Sequence, residues 1–243
     1  MILSSRHKEI YSENNMSNTI SAQNLKIGYS KILAEIDKFN IKQGEIVSII
    51  GKSGIGKTTF LKTIANLINP IEGELSIFEN EPKKERGLIG YIPQKLGLVK
   101  HSSVFSNVLQ GAVCEEPIWR SITGFHEQKT LGTVQDTIEI MGLNDKIDEP
   151  ISKLSGGQQR RVAIARTMAQ NPKIILADEF LSELDAKTAE NVWKNMLSYV
   201  KEKNITLIIV EHNIEWAKLA DRCFEMELKE NKDSSSLEEI SNV

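Results

Sequence analysis

Apolar residues fall into runs of two kinds along this chain. Short, nearly unbroken stretches occupy 46–50, 174–177 and 205–210, and the last two end at charged residues. A strand buried on both faces, as in a parallel sheet, needs such a run, because neither side of it meets water. Further β-type segments cover 20–29, 74–78 and 88–92, and helical spacing recurs near 57–68, 102–113, 130–141, 156–170 and 186–202. Alternating strands and helices predict an α/β fold around a parallel sheet, with ligands at the carboxyl ends of the strands. The block from about 96 to 152 is helix-prone and carries no buried-strand run, so it is expected to be a helical insertion. Residues 1–18, rich in Ser, Asn and charge, are expected to form a loose arm. The polar tail after Leu228 is expected to be disordered.

The punctuation between the first two core elements carries the chemistry. Gly51-Lys52-Ser53-Gly54-Ile55-Gly56-Lys57-Thr58 matches G-x-x-x-x-G-K-[ST], directly after one apolar run and directly before a helix-type segment. Strand, glycine-rich turn and helix N-terminus together aim backbone N–H groups at an anion. In this reading Lys57 reaches the β and γ phosphates of a nucleoside triphosphate, and Thr58 offers its hydroxyl to magnesium. Gly51, Ser53, Gly54, Gly56 and Thr59 complete the predicted nucleotide contacts.

A phosphate loop needs a partner carboxylate, and the run 174–177 ends in Asp178-Glu179. Asp178 is assigned to magnesium and Glu179 to polarising the attacking water. Acidic pairs also occur as plain solvated strand ends; the phosphate loop upstream is what favours the functional reading. Leu154-Ser155-Gly156-Gly157-Gln158 precedes another helical run. Ser-Gly-Gly there serves either as an ordinary helix cap or as a second anion site. Two γ-phosphate sites on one chain make sense if the second faces the nucleotide of another copy.

Bulk properties narrow the field. Over 243 residues the formal net charge is −3, with a pI near 5.9, which gives no basic footprint for nucleic acid. Cys114 and Cys223 are far apart, without metal-ligand or redox spacing. No apolar run approaches the ~18 residues of a membrane span, and the polar start lacks the apolar core of a signal peptide. The expectation is a cytosolic protein.

With the phosphate loop, Leu154–Gln158 and the run ending in Glu179 in that order, the sequence resembles an ATP-binding cassette (ABC) ATPase over about residues 19–228. The resemblance implies a RecA-like parallel-sheet core, an antiparallel β subdomain and a helical subdomain spanning about 96–160. It also implies ATP and Mg2+ as cofactors, and a homodimer that sandwiches ATP. By the same likeness Gln94 matches the glutamine that touches magnesium, His212 the histidine that contacts the γ-phosphate, Tyr29 the adenine-stacking aromatic, and Asp185 the D-loop aspartate. Ser155, Gly156, Gly157 and Gln158 would bind the nucleotide held by the opposite copy. Apart from the family, Gln94 fits a solvated turn, His212 a cap, and Tyr29 core packing. Two positions depart from the family pattern: Phe180 stands where proline is usual, and Glu183 where a small residue is usual.

A single cassette with no membrane span resembles the separate ATPase subunit of an importer. Asn107-Val108-Leu109, Trp119-Arg120-Ser121 and Gly124-Phe125 resemble the ATP-binding subunit of importers for phosphonate and related anions, including phosphite and hypophosphite. The implied partners are membrane permease subunits, docked around 97–107, and through them a solute-binding protein outside the membrane. The implied location is the inner face of the cell membrane. The alternative is an ABC ATPase of a membrane complex that does no uptake, of the lipoprotein-release or cell-division type.

Overall fold

The computed structural model describes residues 18–116, 120, 124–229 and 234–240. Of the sequence expectations, the arm 1–17 and most of the Trp119–Thr123 stretch lie outside the described residues. The strands are β1 (Asn18–Gly28), β2 (Ile32–Lys42), β3 (Ile46–Gly51), β4 (Glu72–Ile77), β5 (Ile89–Ile92), β6 (Ile174–Asp178), β7 (Thr206–Val210), β8 (Arg222–Leu228) and β9 (Ser235–Ile240). The helices are α1 (Lys57–Ile64), α2 (Val104–Ala112), α3 (Gln128–Ile140), α4 (Gly156–Ala169), α5 (Ala186–Glu202) and the short α6 (Ile214–Ala217).

All the strands join one sheet in the order β4-β1-β2-β9-β8-β3-β7-β6-β5. From β8 to β5 each neighbouring pair is parallel, whereas β4, β1 and β2 pair antiparallel. The parallel half explains the unbroken apolar runs. Along β6, Ile174 and Leu176 face a core shared with β1, β2 and α1, while Ile175 and Ala177 face a second core under α4 and α5. On the first side Phe39 packs edge-on against Phe60 and Phe224, with ring centroids 5.1 and 4.9 Å apart.

The insertion contributes α2 and α3, which pack on α4 through Val104, Val108, Val134, Ile138 and Val162. Backbones come unusually close where α2 meets α4. A Cβ built on the buried Gly111 would lie 1.9 Å from the Arg166 carbonyl oxygen. Gly111→Ala is therefore expected to prise the helices apart and to cost about 1–3 kcal/mol or more, as overpacking does. Chemical denaturation measures it; an unchanged midpoint would mean the contact yields freely.

Three strands were not expected. In β2 the consecutive exposed pair Asp37-Lys38 interrupts the alternation, moving the buried set from Ala34 and Ile36 to Phe39 and Ile41. The β8 segment, Arg222–Leu228, mixes buried Cys223, Phe224 and Met226 with charged residues and carries no unbroken apolar run. The tail is a correction: residues 235–240 form a strand rather than disorder. Its composition is mostly polar, and only Leu237 and Ile240 pack against apolar clusters. Backbone pairing with β8 runs from Cys223↔Ile240 to Leu228↔Ser235. Arg222 grips both oxygens of Glu239 at 2.7 and 2.6 Å, a bidentate geometry that strengthens the pair. The buried Ser235 hydroxyl donates to the Ile55 carbonyl at 2.7 Å, so the tail strand touches the phosphate loop itself.

A candidate nucleotide-binding and hydrolysis site

At the carboxyl end of β3 the chain leaves the sheet through Gly51, whose φ is +142°. A Cβ there would fall 2.4 Å from the Met226 carbonyl oxygen, so only glycine fits this exit. The loop closes at Gly56 (φ +119°), the N-cap of α1. Lys57 in the first turn folds back across the loop. Its ammonium donates to the carbonyls of Gly51 and Lys52 at 2.6 and 2.8 Å. Burial lowers the Lys57 pKa, and the carboxylates of Glu179 and Asp178 oppose that shift.

The next residue meets the end of β6, which lies beyond β7 from β3 in the sheet. Thr58 Oγ1 donates to Asp178 Oδ1 at 3.1 Å, and the Tyr91 hydroxyl lies 3.4 Å from Asp178 Oδ2. Burial raises the Asp178 pKa, partly offset by the Thr58 hydrogen bond, and burial likewise raises that of Tyr91. The pair Thr58–Asp178 offers hard oxygen donors, the kind magnesium prefers. Among the described residues no cluster of three or more His, Cys, Asp or Glu could hold a metal by itself. Mg2+ keeps waters and binds through one or two carboxylates together with substrate phosphates, and Asp178 offers one such carboxylate.

Glu179 lies just past β6 with φ +52°, a left-handed conformation that costs a non-glycine residue about 1–3 kcal/mol. Its carboxylate is held from both sides. Gln94 Nε2 donates to Oε2 at 2.8 Å, and His212 Nε2 lies 2.9 Å from Oε1. The neighbouring Phe180 is fully buried against Trp193, with ring centroids 5.9 Å apart.

The remaining expected residues sit as follows. Tyr29 lies in the turn between β1 and β2 and is 65% exposed, so it is free to stack and does not pack in the core. Ser53 is exposed in the loop, and Thr59 is buried in α1. Ser155 and Gln158 form a reciprocal capping box on α4, with Gln158 N to Ser155 Oγ at 3.3 Å and Ser155 N to Gln158 Oε1 at 2.8 Å. Gly156 and Gly157 lie against Glu183 and Leu184. Asp185 caps α5 through Thr188 N at 3.0 Å, and hydrogen bonding to the Thr188 side chain and then its backbone lowers the Asp185 pKa. Thr58, Gln94, Asp178, Glu179 and His212 are thus linked to one another pairwise or in sequence, whereas Ser155–Gln158 and Asp185 are engaged locally, at helix starts.

Sequence reasoning missed three site residues: Tyr91, Arg160 and Glu211. Glu211, 5% exposed, accepts from Leu181 N at 3.5 Å, and burial pushes its pKa up to about 7. Its signal was available: a carboxylate placed between a buried strand and His212 does not sit in bulk water by default.

A P-loop ahead of a helix, a magnesium-type Thr–Asp pair and a clamped glutamate just past β6 define a P-loop nucleoside-triphosphatase. The family model described as ABC transporter matches residues 35–182. The chain is 40% identical over 194 residues to "Phosphonates import ATP-binding protein PhnC 2" of Halalkalibacterium halodurans, spanning 75% of this chain and 79% of that one. It is 36% identical over 191 residues to "Lipoprotein-releasing system ATP-binding protein LolD" of Rickettsia bellii, spanning 77% and 83%. The fold superposes on the dimeric structure of MJ0796, a bacterial ABC transporter cassette, with TM-score 0.78 and 30% identity, covering 92% of this chain and all of that one. A post-hydrolysis form of the same cassette, bound to ADP and Pi, matches equally well at 0.78 and 29% identity. This chain belongs to the ABC transporter family and is an ABC ATPase. None of its described helices is long and apolar enough to cross a membrane.

Proposed function

We propose that this chain powers import of a phosphonate or a related reduced-phosphorus anion, such as phosphite or hypophosphite. It works as a homodimer with ATP between the copies, on the cytoplasmic face of a membrane permease fed by a solute-binding protein. The observation that carries the import reading is the 40% identity to a phosphonate import ATP-binding protein across three quarters of the chain.

The residues divide the work by position. Lys57 exchanges the carbonyls of Gly51 and Lys52 for phosphate oxygens. Thr58 and Asp178, together with Gln94, would hold magnesium, which would supply positive charge against the triphosphate. Glu179, aligned by Gln94 and His212, orients and polarises water for in-line attack. Tyr29 stacks on the adenine. Ser155, Gly156, Gly157 and Gln158 complete the γ-phosphate site of the opposite copy, with Asp185 at the seam. The transported anion never meets this chain, so hydrolysis chemistry and cargo choice reside in different subunits.

The permease-facing loop before α2 is stiffened from below. Asn107, fully buried, accepts from Val99 N at 2.8 Å and donates to the carbonyls of Val99 and Ser103 at 3.1 and 2.9 Å. Val99 itself is 45% exposed, available to a partner. The likeness to the lipoprotein-releasing relative supports a second reading, in which the same ATPase serves a membrane complex that does no uptake.

Growth decides between them. A strain lacking this gene is expected to fail selectively on one reduced-phosphorus source among methylphosphonate, 2-aminoethylphosphonate and phosphite, yet to grow on phosphate. The wild-type chain, but not Glu179→Gln, restores growth. Normal growth on every source, with no second copy to compensate, overturns the import reading.

A further inference from the structure

Arg160 lies in the second turn of α4 within Gln158-Gln159-Arg160-Arg161, a run that reads as a solvated helix face. It is instead 1% exposed, the largest fully buried side chain among the described residues. Burying a guanidinium is costly unless its donors and its charge are matched. Its matches are informative. Nη1 donates to the Gln94 carbonyl at 3.3 Å, Nη2 donates to Ser182 Oγ at 2.9 Å, and Glu183 Oε1 lies 3.9 Å from Nη2. Burial lowers the Arg160 pKa, and Glu183, Glu179, Glu211 and Asp178 all act against that shift. The one cation is thus set among four carboxylates.

Followed outward, both donor paths end on the same residue. Ser182, which accepts from Arg160, donates its own hydroxyl proton to the Glu179 carbonyl at 2.7 Å. Gln94, whose carbonyl also accepts from Arg160, donates its side-chain amide to the Glu179 carboxylate at 2.8 Å. Arg160, Gln94, Glu179 and Ser182 therefore close a ring, with Glu179 gripped by its backbone on one side and its side chain on the other. The ring also has something to restrain. Glu179 and Glu183, at the two ends of the segment it ties, both have positive φ, +52° and +65°. Such conformations persist only where surrounding contacts impose them. The guanidinium's planar fork suits this task, because one rigid group can serve two acceptors on different loops at fixed spacing.

We propose that Arg160 is a positioning residue for hydrolysis, joining α4 to Gln94 and Ser182 so that the Glu179 carboxylate is held in register for water. This rests on Glu179 being the group that polarises water, and it adds a residue that touches neither nucleotide nor metal. Arg160 and Glu183 also tie the start of α4, where Ser155–Gln158 lie, to the same ring. Whatever engages that helix start is then felt at Glu179 through a single side chain.

The test measures steady-state ATP hydrolysis and nucleotide affinity for the full chain and for Arg160→Met, Arg160→Lys, Ser182→Ala, the Arg160→Met/Ser182→Ala double variant and Glu179→Gln. Ser182→Ala is included because it opens the ring elsewhere without removing a buried charge, so it decides the matter if Arg160→Met fails to fold. Arg160→Met and Ser182→Ala are each expected to lower kcat by about tenfold or more, since small misplacements of a reacting group are that costly. KM for ATP should stay near wild type, because neither residue touches the phosphate loop. The double variant should lose little more than the worse single one, as expected of residues acting as one unit. Arg160→Lys, which keeps the charge but loses the fork, should fall between. Ser182→Ala with wild-type kcat, losses that multiply in the double variant, or a change confined to KM would each overturn the proposal. If Glu179→Gln itself turned over at the wild-type rate, the assignment of Glu179 would fail, a result distinct from failure of the ring alone.

Discussion

Glu179→Gln is expected to slow ATP hydrolysis by roughly 10²–10⁴-fold, the span associated with a positioned general base, while leaving ATP binding intact. Glutamine matches glutamate in shape, so the side chain keeps its place between Gln94 and His212 at 2.8 and 2.9 Å. What it loses is the negative charge proposed to polarise water. Binding should be spared because, in the proposed site, the phosphates are held elsewhere, by the loop from Gly51 to Gly56, by Lys57 and by Thr58. A fluorescent nucleotide titration and a phosphate-release assay separate the two effects. Lys57→Ala makes the contrasting change, removing the cation that lies across the loop mouth, and should weaken binding as well as turnover. A Glu179→Gln protein hydrolysing at the wild-type rate would mean that water is activated by another group, with Glu211, the carboxylate preceding His212, the one to test next.

That experiment probes the part of the site most legible in the sequence, and the reason is local. The phosphate loop and Asp178-Glu179 are contiguous segments whose chemistry depends on residue type and on the strand that precedes them. Strands β6 and β7 were legible for a similar reason: Ile174 to Ala177 and Thr206 to Val210 are buried on both faces, which leaves an unbroken apolar signal. The β9 strand had no such signal. Its order comes from pairing with β8, from the Arg222–Glu239 pair and from Ser235 reaching the Ile55 carbonyl, none of which is local in sequence. Arg160 was invisible for the same reason, since only the tertiary fold turns that face of α4 toward Gln94 and Ser182. Ser155–Gln158 show a further limit. Within one copy the capping reading is the one realised, while the proposed nucleotide role needs a surface supplied by another copy.

Phe180→Ala is the substitution expected to cost most in stability, about 3–5 kcal/mol, as for other buried phenylalanines truncated to alanine. The ring is 0% exposed and belongs to the core under α4 and α5, where it leans on Trp193, which in turn meets Trp216 at 6.1 Å. A void there has little chance to collapse, because Trp193 is held in α5 and the strands behind are rigidly paired. For a domain of this size about 2–4 °C of Tm accompanies each kcal/mol, so the melting point should fall by roughly 6–20 °C. The position also explains how the chain tolerates a departure from the family pattern directly beside its glutamate. A proline ring would leave much of this phenyl's volume unfilled; the phenylalanine instead anchors the chain between Glu179 and Leu181, whose N–H is held by Glu211 at 3.5 Å. Loss of the anchor should therefore reduce kcat even at temperatures where the protein remains folded, and Phe180→Leu, which keeps most of the volume, should reduce both effects. A Phe180→Ala protein with wild-type denaturation midpoint and turnover would show that the backbone conformation at Glu179 is fixed by its hydrogen bonds alone, without help from the core beneath it.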